Sequence, residues 1–62
     1  MKIIWRCEQT EYGMLVEGAC TVGDKKFGHI EVIPHPDFTA EKMQSTLNLI
    51  SESVSDMTKE IT

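Results

Sequence analysis

No apolar run in the chain exceeds three residues, the longest being Ile3-Ile4-Trp5 and Met14-Leu15-Val16. A membrane-spanning helix needs roughly 20 such residues and a secretory leader roughly 7–15, so neither is expected and the chain reads as cytoplasmic. Basic residues are also scarce, six against ten acidic ones, for a net charge of −4. A chain of that sign is repelled by phosphate backbones and by anionic lipid, which makes nucleic acid an unfavourable partner and a membrane surface an excluded one. The four glycines are isolated from one another, and no phosphate-cradling motif is present.

Soft metal ligands are few as well. Cys7, Cys20, His29 and His35 follow the pattern C-x12-C-x8-H-x5-H, without the close cysteine pair of the usual zinc knuckles. A small zinc-binding domain is therefore a lesser alternative, and the expectation is no metal and no cofactor. In a reducing compartment the two cysteines stay thiols, although a Cys7–Cys20 bridge between neighbouring strands is conceivable. Strand parity sets Cys20 and His29 on opposite faces, so they make no nucleophile–base pair. A chain of 62 residues also leaves little material for a deep pocket. No enzymatic activity is expected.

What is present is a sequence in two halves. With 40% hydrophobic and 26% charged residues it has the composition of a folded chain, and its length makes it one domain, 1–62, with a small core. Up to Ile33 it is rich in strand formers and punctuated by glycine; from Thr39 onward it holds neither Gly nor Pro. Alternation predicts strands over about 2–9, 14–22 and 26–33, separated by turns at Glu11-Tyr12-Gly13 and Gly23-Asp24-Lys25. A two-residue Gly23-Asp24 loop would set Val16 opposite Glu31, mixing core with charge. A three-residue loop pairs Val16 with Val32 and Gly18 with Ile30, which keeps one face apolar, and parity favours it. On that register Ile3, Trp5, Cys7, Val16, Cys20, Ile30 and Val32 form the buried face, while His29 points away and Glu17 and Glu31 neighbour each other on the open one.

The clearest periodicity is Met43, Leu47, Ile50, Val54, Met57 and Ile61, at spacings of 4, 3, 4, 3 and 4. It predicts a helix over about 40–60 with one narrow apolar stripe. The stripe laid on the sheet gives an α+β domain of two layers, β-β-β-α, a three-stranded antiparallel meander packed on one long C-terminal helix. Pro34 and Pro36 end the last strand around His35, and Thr39 fits as N-cap, with Phe38 and Met43 placed for a hydrophobic staple. That stretch, PHPDFTAEKM, reads as a corner of the fold in preference to a site.

Two features exceed what a monomer needs. One helix covers only one sheet face, so Ile4, Leu15, Phe27 and Ile33 are expected as an apolar patch on the other. The helix, roughly 30 Å long at 1.5 Å per residue, should also overhang the sheet near Met57 and Ile61, with Leu49 off the stripe. Glu41, Glu52, Asp56 and Glu60 make the helix the acidic side, able to meet a basic surface. The expectation is a small, acidic, non-enzymatic protein–protein interaction module, a homodimeric regulator or inhibitor, with phage-encoded inhibitors as one type it would suit. The alternative is a nucleic-acid-binding module using the basic Lys25-Lys26 hairpin. The order of three strands and a helix resembles the later part of double-stranded-RNA-binding domains, which implies that alternative and nothing more specific.

Overall fold

The computed structural model describes residues 2–59. Three strands, β1 (Ile4–Gln9), β2 (Gly13–Val22) and β3 (Lys25–Pro34), form an antiparallel meander in the order β1-β2-β3. A single 3-10 turn, His35–Asp37, leads to one helix, α1 (Ala40–Lys59), which packs on β2 and β3. This is the expected two-layer architecture.

Each connection has a local cause. Between β1 and β2 the Thr10 hydroxyl donates to the Gly13 carbonyl (2.9 Å) and accepts from the amides of Tyr12 and Gly13 (both 3.2 Å). One side chain thereby satisfies most of a tight turn. Gly13 is required there, because its φ is +156° and a Cβ would lie 2.1 Å from the Ile33 carbonyl oxygen. Thr39 caps α1 as its position suggests, its hydroxyl accepting from the Lys42 amide at 3.0 Å.

The second turn departs from the sequence reading. Val22 pairs with Lys25, so the loop is the two-residue Gly23-Asp24. Gly23 has φ +64° and no described residue other than glycine has positive φ, the combination of a type II′ hairpin turn. Every residue of β3 is thereby turned over relative to the apolar-face register. Val16 stands opposite Glu31, Gly18 opposite His29 and Cys20 opposite Phe27.

The core follows from that register. Val16, Cys20, Ile33, Ile50 and Val54 are buried, with Ile3, Met14, Phe27, Met43 and Leu47 packed around them. Fully burying side chains of this size contributes about 1.5–3 kcal/mol each. Ile33 is 1% exposed, whereas Ile30 and Val32, expected in the core, are 51% and 46% exposed. Thr46, also buried on the helix, donates its hydroxyl to the Lys42 carbonyl (2.8 Å), so it brings no unsatisfied group inside.

Gly18 sets the spacing of the layers. A Cβ there would lie 2.6 Å from Ile50 Cγ2 and 3.0 Å from the Trp5 ring, so the missing side chain lets the helix settle on β2. β1 stays outside this contact, and all six of its residues are exposed. Trp5 and Cys7 share the helix-side face, yet Trp5 is 40% exposed and Cys7 is exposed too, against the expectation of burial. One helix centred over β2 and β3 cannot also cover the third strand.

Candidate interaction surface

The uncovered sheet face is built from alternate residues of the three strands. Leu15 pairs with Val32, Glu17 with Ile30 and Ala19 with both Ile4 and Gly28. Ile4 is 70% exposed and Leu15 half-buried. This face therefore does carry apolar residues, with different members than expected and with Ile4 set apart from the rest by the Arg6–Glu17 row. Ile4 and Leu15 belong to it as expected; Phe27 and Ile33 do not, because the short second turn points them at the helix, and Ile30 and Val32 take their places. The signal that would have found them is the Gly-Asp pair itself, whose two-residue preference fixes the parity of β3.

Charge crosses the middle of this face, since Arg6 pairs with Glu17, which stands next to Ile30, and Glu8 pairs with Leu15. Arg6 Nε lies 3.1 Å from Glu17 Oε1, and Arg6 Nη1 lies 3.4 Å from Glu8 Oε2. Pairs this exposed contribute at most about 1 kcal/mol. They do neutralise the single arginine, and Glu17 is thus partnered across strands by Arg6, with Glu31 on the other face.

Helix-side polar groups meet in one place. His29 Nδ1 lies 2.9 Å from Ser53 Oγ and its Nε2 2.9 Å from Glu31 Oε1. His29 therefore faces the helix, not away from it. A serine, a histidine and a carboxylate in line resemble the parts of a nucleophilic triad, but Ser53 stands inside α1, where backbone amides are committed to the helix ladder. The amides next to Ser53 are therefore not free to hold an oxyanion. The chain of bonds instead ties β3 to α1.

The other soft ligands do not converge. His35 Nε2 donates to the Thr10 carbonyl at 3.0 Å, clasping the first hairpin turn to the exit of β3. Cys7 pairs with Val16, four residues along β2 from Cys20, which is too far for a bridge between the two thiols. No group of three or more His, Cys, Asp or Glu side chains among the described residues is arranged to hold a metal ion.

On the outer helix surface Glu41, Glu52 and Asp56 are exposed, as is Leu49 at 49%, while Met57 is half-buried. Leu49, Glu52 and Asp56 recur at three and four residues and share one side of α1. Glu60 and Ile61 lie outside the described residues. Among the described residues, no helix is long and apolar enough to cross a membrane. Compared with known protein families, curated proteins and solved structures, the chain matches none.

Proposed function

We propose that this protein is a non-enzymatic protein–protein interaction module, a homodimer that acts as a regulator or inhibitor of a protein target. The observation that carries the reading is the exposure of Ile30 and Val32 beside half-buried Leu15, with exposed Ile4 further along the same sheet face, which no described element covers. Single exposed apolar side chains are ordinary, but Leu15, Ile30 and Val32 adjoin one another, and a group of that kind on so small a domain is what an interface looks like before its partner arrives. The acidic helix, with Glu41, Glu52 and Asp56 turned to solvent, favours a target that presents basic residues.

The test compares proteins retained by the immobilised wild type with those retained by two variants, Ile30→Ser/Val32→Ser and Glu52→Lys/Asp56→Lys. A target lost by both variants supports the reading. Retention that neither variant alters overturns it.

A second reading, nucleic-acid binding through the Lys25-Lys26 hairpin, draws on Lys26 and Arg6 lining one shallow depression with Ile4 and Thr21. The carboxylates of Glu8 and Glu17 already hold Arg6, which leaves few free cations for phosphate. Retention on heparin that falls steeply with salt would favour this reading over the first.

A further inference from the structure

We propose that two copies of the chain associate edge to edge through β1, antiparallel and two-fold about Cys7, to form one six-stranded sheet with both helices on the same face. The inference rests on the homodimer reading above and assigns its interface.

The two edges of the sheet are not alike. β3 opens with Lys25 and Lys26 and closes with Pro34, residues that blunt an edge against further pairing, and its helix-side face is occupied by α1. β1 holds neither lysine nor proline. All six of its residues are exposed, and its outer row of backbone donors and acceptors faces solvent beside the partly open ring of Trp5.

Charge then selects the register. In an antiparallel pair, directly opposite residues share a face, so a two-fold axis must pass through a residue. An axis at Arg6 would set arginine against arginine, and one at Glu8 glutamate against glutamate. An axis at Trp5 leaves only residues 4–6 overlapping. An axis at Cys7 overlaps residues 5–9 and sets Arg6 opposite Glu8 of the second copy, twice, in exchange for the long, exposed Arg6–Glu8 pair within each chain, while Arg6 keeps Glu17. Opposite charges in such positions stabilise a strand pair and like charges oppose it.

The same register has two physical consequences. Cys7 faces Cys7 of the second copy, with Cβ atoms about 4.5–5.5 Å apart, near the roughly 3.5–4.5 Å that a disulfide spans. Trp5 lies diagonal to that Cys7 and opposite Gln9 of the second copy, so dimerisation covers a ring that the monomer leaves partly open. The open faces also merge into a single surface carrying both apolar clusters.

The experiment is solution mass by light scattering across a concentration series, with oxidative cross-linking by diamide in a Cys20→Ala background. The expected mass is twice the 7.0 kDa of one chain. Cross-linked dimer should form and should disappear with Cys7→Ser, while the mass of that variant stays doubled. Glu8→Arg alone should weaken association roughly tenfold or more. Arg6→Glu should do the same, and mixing the two variants should restore a heterodimer, since every opposed pair is then complementary. A monomer at all concentrations would overturn both this inference and the homodimer reading. A dimer that ignores Glu8→Arg, or that fails to cross-link through Cys7, would overturn this inference alone.

Discussion

Ile50 Cγ2 sits 2.6 Å from the point where a Cβ on Gly18 would be. The contact is lateral to any turn, and Gly18 lies in the middle of β2, where a glycine ordinarily weakens a strand. Here it determines how closely α1 approaches the sheet.

Gly18→Ala should therefore destabilise the fold. The new methyl would meet Ile50 from one side and Trp5 from the other, and overpacking of this kind costs about 1–3 kcal/mol. Gly28→Ala is the matched control, because its nearest neighbours lie 3.5 Å or more away, at ordinary contact distance. Urea denaturation should show a lower midpoint for the first variant and little change for the second. Equal effects would mean that backbone freedom, not the approach of the helix, is what Gly18 supplies.

His29 should couple β3 to α1. Its ring bonds Ser53 on one side and Glu31 on the other, half-buried at the margin of the core. Removing either His29 or Ser53 should cost about 0.5–1.5 kcal/mol, the net value of a typical hydrogen bond. The two losses should not add: a double-mutant cycle of His29→Ala and Ser53→Ala should give a coupling of at least about 0.5 kcal/mol. Full additivity would mean that the bond contributes nothing in solution.

The fold and the helix were legible because their signals are redundant. Met43, Leu47, Ile50, Val54 and Met57, at alternating spacings of four and three, all fall within α1, and Thr39 marks its start independently. The composition of the sheet face was less legible. Parity was judged from which residues of β3 look apolar, and Ile30 and Val32 look more like core than His29 and Glu31 do. The fold instead follows the two-residue turn at Gly23, and its polar inward positions are satisfied by Ser53 and by one another. His35 was legible as part of a corner but not as a hydrogen-bond donor to Thr10, since that contact joins residues 25 positions apart. Burial of β1 was over-expected because periodicity gives the face of a strand and not the width of the helix above it.

The turn itself can be tested by insertion. One additional glycine after Asp24 would lengthen the loop to three residues and turn β3 over, bringing Ile30 and Val32 under the helix and expelling Phe27 and Ile33. It would also break the bond between His29 and Ser53. If the Gly23-Asp24 turn governs the register, the insertion should lower the thermal midpoint by several degrees. A midpoint that rises would show that the apolar-face register is the more stable one and that the present core is not the preferred packing.

The clasp at the other end of the sheet should divide unequally between its two residues. Thr10 carries three side-chain bonds within its turn besides its backbone pair with Gly13, and its carbonyl also accepts from His35. Thr10→Val keeps the shape and removes the hydroxyl, leaving the amides of Tyr12 and Gly13 without that acceptor, and should cost about 1–2 kcal/mol. His35→Ala removes one exposed bond and should cost less than about 1 kcal/mol. Amide exchange separates the two effects. Loss of Thr10 should speed exchange at Tyr12 and Gly13, while loss of His35 should leave Tyr12 protected and act mainly on the closure between the first turn and Pro34. A larger cost for His35 than for Thr10 would mean that the corner around Pro34 and Pro36 depends on the histidine ring and not on the prolines that frame it.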